Sequence, residues 1–173
     1  YAGIEIRYHD AVIANAHVGR TLAVRPYFDP HVAVLKLFPG ITREVVDAVL
    51  SVPSLRGVVM ETFGSGNAPM MPWFLDALRA AVARGVVIVN VTQCVTGYVD
   101  MTRYETGVLL EKIGLVSGRD ATTEAALTKL MYLLGQGFSS EEVSRLMAIP
   151  LRGEMSLDQE MEGFSREISI YRR

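Results

Sequence analysis

Residues 86–91 read Val86, Val87, Ile88, Val89, Asn90 and Val91, five β-branched aliphatic side chains interrupted by one amide. A strand with one wet face alternates polar and apolar residues, whereas a short apolar run of this kind marks a strand covered on both faces. Two further extended segments precede it, Val32-Ala33-Val34-Leu35-Lys36-Leu37-Phe38 and Leu55-Arg56-Gly57-Val58-Val59-Met60. Helical stretches separate them. Thr42 stands at a capping position before Val45, Val46 and Val49, and Pro72 fits the first turn of a helix whose apolar stripe is Phe74, Leu75, Leu78 and Val82. Gly85 ends that helix, and Trp73 is expected to pack at its edge. Strands alternating with helices predict a parallel sheet, because parallel neighbours need a crossover.

The pattern continues downstream. Residues 103–112 predict a helix with Tyr104, Val108 and Leu109 on one face, and Gly114-Leu115-Val116-Ser117-Gly118 predicts a brief extended segment. Asp120 or Thr122 starts a following helix with a core stripe of Leu127, Leu130, Met131 and Leu134. Ser139 and Glu142 have capping-box spacing before a last helix carrying Val143 and Leu146, with Pro150 as its limit. The fold class expected is α/β: a small three-layer domain with a mainly parallel four-stranded sheet flanked by helices. Its expected extent is residues 32–155. Residues 1–31, with an alternating strand at Ile4, Ile6 and Tyr8 and a short strand at Leu22-Ala23-Val24, read as the end of a preceding domain and an arm. Residues 156–173 read as an extension. The chain opens without methionine inside a strand-like segment, so an upstream portion is expected.

Composition narrows the partners. With 17 Lys and Arg against 19 Asp and Glu, the net charge of -2 offers no general field to gather a polyphosphate, so no nucleic-acid partner is expected. No 18-residue apolar run is present, and no membrane partner is expected. The single cysteine, Cys94, rules out an internal disulfide framework and is compatible with a reducing compartment. His9, His17 and His31 form no HExxH or Cys-rich pattern, so neither a metal nor another cofactor is expected.

The sharpest local feature is Thr62-Phe63-Gly64-Ser65-Gly66-Asn67-Ala68-Pro69, a Gly-rich loop after a strand, where open α/β sheets place ligands. It lacks the Gly-x-Gly-x-x-Gly spacing of a dinucleotide fingerprint. It serves either a ligand or interface, or only a turn in which Asn67 bonds its own backbone. Thr92-Gln93-Cys94 supplies a second polar cluster. Cys94 is expected to be a buried structural thiol rather than a pocket lining or a nucleophile, since no base is placed beside it. Asp120-Ala121-Thr122-Thr123-Glu124 is either a helix start or a functional contact. Arg152 and Glu154 are expected to form an exposed ion pair.

These segments, taken together, resemble the C-terminal domain of cytosolic, type I-like L-asparaginases. The resemblance runs from about Val24 to Met155. It rests on Phe38-Pro39-Gly40-Ile41, the block from Gly57 to Pro69, Val89-Asn90-Val91-Thr92-Gln93-Cys94, Glu124-Ala125-Ala126-Leu127-Thr128-Lys129-Leu130, and Leu151-Arg152-Gly153-Glu154-Met155. The Glu61-Thr62-Phe63 version is closer to mammalian relatives, since bacterial forms commonly carry arginine where Glu61 stands. The resemblance implies hydrolysis of L-asparagine to L-aspartate and ammonia by a cytoplasmic homo-oligomer. It implies a threonine nucleophile in an N-terminal domain missing from this chain, no catalytic residue within the chain, and an inactive chain when alone. Asn67 and Glu124 become substrate-pocket or structural support residues, and Glu61, Thr92 and Cys94 a candidate regulatory pocket. Two rival readings are a noncatalytic amino-acid binding module and an assembly domain of an amidotransferase.

Overall fold

The computed structural model describes residues 23–95, 97–102 and 104–156. Along these residues the elements run β1 (Val32–Lys36), α1 (Arg43–Leu50), β2 (Gly57–Thr62), α2 (Pro72–Ala83), β3 (Val87–Thr92), α3 (Glu105–Ile113), β4 (Val116–Ser117), α4 (Thr123–Gly135) and α5 (Ser140–Met147). The strands lie side by side in chain order, β1-β2-β3-β4, all parallel. The α/β class and the four-stranded parallel sheet are as the residue pattern predicts.

Layering follows from handedness. A crossover between parallel strands is right-handed, so strands laid down in chain order send every crossover helix to the same face. Helices α1, α2 and α3 accordingly share a core with that face: Val46, Leu50, Phe74, Leu78 and Leu110 pack with Val58, Met60 and Ile88. This leaves the other face bare until the chain passes β4, and α4 and α5 cover it. Ala126, Leu130, Leu133, Leu134, Val143, Leu146 and Met147 pack there with Val59, Val87, Val89 and Val91. Side chains in β3 alternate between two buried layers, which is why its sequence shows no polar face.

Several local expectations need correction. Ala23 and Val24 form no strand, and Val24 is exposed, because no neighbouring strand pairs with them. Leu22 and the segment containing Ile4, Ile6 and Tyr8 lie outside the described residues, as do residues 157–173. Thr42 occupies the cap position of α1 but makes no side-chain cap bond. In α3 the buried residues are Gly107 and Leu110, while Tyr104 is exposed. The reason is a close approach: a Cβ on Gly107 would lie 2.5 Å from the Met101 carbonyl oxygen, so the helix turns its smallest residue to the preceding loop. In α4 the stripe includes Leu130 and Leu134 as expected, but Ala126, Lys129 and Leu133 are buried where Leu127 and Met131 are only half-buried. Thr122, not Asp120, caps α4 by accepting from the Ala125 N–H, and the Ser139–Glu142 capping box of α5 is present in full. Trp73 is partly buried and meets the Phe74 ring edge-on at 5.8 Å between centroids.

Glu154 makes no exposed pair with Arg152. Its carboxylate pairs with Lys129 Nζ at 2.7 Å, with only 7% and 15% of the two side chains exposed. Lys129 also donates to the carbonyls of Met147 and Ile149, and Glu154 accepts from the N–H groups of Leu151 and Arg152. The turn after α5 thus folds back over α4, leaving the Arg152 guanidinium to bond the Leu151 carbonyl at the surface.

Candidate functional site

The carboxyl ends of the parallel strands bring three polar segments together: the loop after β2, the end of β3 with the residues that follow, and the first turn of α4. The loop after β2 is a closed ring. Phe63 and Asn67 exchange backbone hydrogen bonds, Phe63 N to Asn67 O at 2.9 Å and Asn67 N to Phe63 O at 2.8 Å. Each intervening carbonyl accepts from elsewhere: Gly64 from Thr92 Oγ1 at 2.5 Å, Ser65 from Asp100 N at 3.1 Å and Gly66 from Asn90 Nδ2 at 3.1 Å. Gly66 has a φ of +106°, and a Cβ there would lie 2.8 Å from Val99 Cγ1. Only glycine fits that backbone. Every carbonyl of the loop is thus bonded to a donor of the protein itself.

Asn67 therefore does more than satisfy its own turn. Its Oδ1 accepts from Thr106 Oγ1 at 2.7 Å, in the first turn of α3. Its Nδ2 makes no hydrogen bond among the described residues. That amide is a preorganised donor at a strand end, suited to a carbonyl or carboxylate oxygen. Glu124 is exposed in the first turn of α4, on the opposite layer, so the fold does not join it to Asn67.

Of the second group, Thr92 and Cys94 are joined and Glu61 stands apart. Thr92 Oγ1 accepts from Cys94 N at 3.0 Å while donating to Gly64. The Cys94 thiol is exposed rather than buried, because the chain turns outward once β3 ends at Thr92. Among the described residues, no base bonds its sulfur. Glu61 faces the α4 layer. Thr123 Oγ1 donates to its Oε1 at 2.6 Å and Lys36 Nζ lies 3.1 Å from its Oε2. The Thr123 hydroxyl first, and Lys36 besides, hold this carboxyl below its ordinary range against the opposing effect of burial. Thr123 thus opens α4 and also ties its first turn to the end of β2.

Residue reasoning missed Asn90 and Thr106, and named Gln93 and Thr123 only within their clusters, without their partners. Asn90 is fully buried, accepts from Thr62 Oγ1 at 2.6 Å and holds Gly66. Gln93 Nε2 donates to the carbonyls of Leu37 and Glu61, locking β1, β2 and β3 together at their carboxyl ends. One amide inside an otherwise apolar strand was the available signal for Asn90, since a buried amide must find partners. Thr106 had none, because its partner lies 39 residues away in the chain.

Comparison with known proteins places this geometry in a lineage. The family model for the glutaminase/asparaginase C-terminal domain matches residues 31–147. The chain is 44% identical to the 60 kDa lysophospholipase of Mus musculus over 90% of its length, and 40% identical to L-asparaginase 1 of Escherichia coli strain K12 over 91%. It spans 27% and 46% of those relatives, respectively. The crystal structure of L-asparaginase I from Vibrio cholerae O1 biovar eltor superposes with a TM-score of 0.78 at 44% identity, covering 90% of this chain and 47% of that one. On the match over residues 31–147, the chain belongs to the glutaminase/asparaginase C-terminal domain family.

Proposed function

We propose that the full-length protein is a cytoplasmic, type I-like L-asparaginase that hydrolyses L-asparagine to L-aspartate and ammonia. In this reading the chain described here is the C-terminal domain. It completes the surroundings of the active site and part of a homo-oligomer interface, and a threonine nucleophile is delivered by an N-terminal segment outside the chain. Amide hydrolysis needs an activated hydroxyl, and fixed donors for the oxygen that gains charge and for the parts of the substrate that do not react. The loop of residues 63–67 supports the second requirement. Its carbonyls are tied up by the protein, and Asn67 Nδ2 is left as a fixed donor. This is the observation that carries the reading.

The test is asparagine-dependent ammonia release by the full-length protein, compared with the 173-residue chain alone and with the chain mixed with the separately made N-terminal half. Turnover by the full-length protein, none by the chain, and recovery on mixing are expected. Robust turnover by the pure chain would defeat the proposed division of labour. The identity to a protein named as a lysophospholipase motivates a second reading, ester hydrolysis of a lysophospholipid by the same full-length protein. Fatty-acid release from lysophosphatidylcholine, with no ammonia from asparagine, would favour it.

A further inference from the structure

The two ends of the Asn67 carboxamide are treated differently. The oxygen is held by Thr106 at 2.7 Å, and the nitrogen makes no bond among the described residues. A carboxamide on a free χ2 rotates broadly, so a single bond to one end decides where the other end points. The backbone beneath it is already fixed by the Phe63–Asn67 exchange and by Asn90. The fixed backbone leaves the Asn67 side chain its own rotation, and the bond from Thr106 removes it.

Thr106 is itself placed by tight packing. Its helix can stand beside the loop only because Gly107 allows the Met101 backbone to come within what would be 2.5 Å of a Cβ. Met101 is buried in the same core as Val99, whose side chain covers Gly66. One packed unit thus contains the loop, the Val99 to Met101 segment and the first turn of α3.

We propose that Thr106 is a positioning residue: by holding the Asn67 oxygen inward it presents the Asn67 amide N–H group to an oxygen of the amino-acid amide substrate. This deepens the asparaginase reading and rests on it. The bond goes to a part of the substrate that does not react and is equally strong in the ground and transition states, so its loss raises KM and leaves kcat nearly unchanged.

The experiment uses the full-length protein with L-asparagine as substrate. Thr106→Val, isosteric but without the hydroxyl, is expected to raise KM roughly five-fold, the size set by losing one oriented hydrogen bond, with kcat within about two-fold. Thr106→Ser restores the hydroxyl and is expected to return KM to near the parent value. Asn67→Ala is expected to raise KM at least as much, and Thr106→Val added to it should cost nothing further, because the positioned group is gone. Asn67→Asp keeps an acceptor for Thr106 but replaces the donor with an anion. It should raise KM without lowering the unfolding temperature, which covers the case of a poorly folding valine variant. A raised KM for Asn67→Ala with an unchanged KM for Thr106→Val overturns the positioning role and leaves the site assignment standing. A serine variant as impaired as the valine variant, or additive effects in the double variant, overturns it as well. An unchanged KM for Asn67→Ala overturns the site assignment and the role of Thr106 with it.

Discussion

Replacing Lys129 by Met tests whether one buried ammonium holds the turn after α5 in place. The side chain keeps an unbranched apolar stem, one atom shorter, but loses the ammonium's bonds to Met147 O at 3.3 Å, Ile149 O at 2.5 Å and the Glu154 carboxylate at 2.7 Å. Removing one partner of a buried pair costs about 3–5 kcal/mol, because the other charge stays desolvated. Glu154 retains 15% exposure and two backbone N–H donors, which places the expected loss near the lower bound, about 3 kcal/mol. At ~2–4 °C per kcal/mol for a domain of this size, the unfolding temperature should fall by roughly 6–12 °C. The assay is thermal and urea unfolding followed by fluorescence of Trp73, the chain's single tryptophan. Lys129→Met with Glu154→Leu removes both charges and should recover at least about 1 kcal/mol relative to the sum of the single variants. A loss below about 0.5 kcal/mol for Lys129→Met, together with additive single effects, would refute the claim that this pair organises the turn.

Acid should remove a defined part of the stability. Thr123 and Lys36 hold Glu61 low despite burial, and Glu154 is also held low because Lys129 and the Leu151 and Arg152 N–H groups outweigh its burial. Folded values below the unfolded carboxyl, about 4.3, mean that this stabilisation is complete above that pH. It is lost as pH falls through the folded values, so Glu61→Gln should flatten the acid limb of unfolding temperature against pH. Asn90→Leu leaves the Gly66 carbonyl without its donor and should cost about 2 kcal/mol in urea unfolding, whereas a neutral result would show that the loop carries itself. Gly107→Ala puts a methyl against the Met101 backbone and should cost about 1–3 kcal/mol, measured the same way. Cys94 should react with an aromatic disulfide reagent in the native protein nearly as fast as in urea, and marked protection would contradict its exposure.

Much of this was legible because it is local. The apolar run of β3 marked it as doubly covered, and both its neighbouring layers are present. The Ser139–Glu142 spacing named a capping box that forms, since cap and partner lie within one turn. The Gly-rich loop stood out because glycine at a strand end has a backbone meaning. Cys94 went wrong because residue type predicts average burial, while the course of the chain after a strand decides the particular case. Arg152 and Glu154 went wrong for a related reason: nearness along the chain suggested a pair, but a buried ammonium competes better for a carboxylate than an exposed guanidinium does.

Periodicity and turn chemistry, read one window at a time, located the strands and helices of residues 32–147 and the parallel sheet they form. They were silent on which polar groups meet across long stretches of chain. Thr62 finds Asn90 across 28 residues, Asn67 finds Thr106 across 39, and Glu61 finds Thr123 across 62. Those pairings exist because the strands lie parallel and in chain order, which brings every carboxyl end to one edge. Only the packed chain decides them, since a hydroxyl or an amide carries no pattern that names its partner in advance.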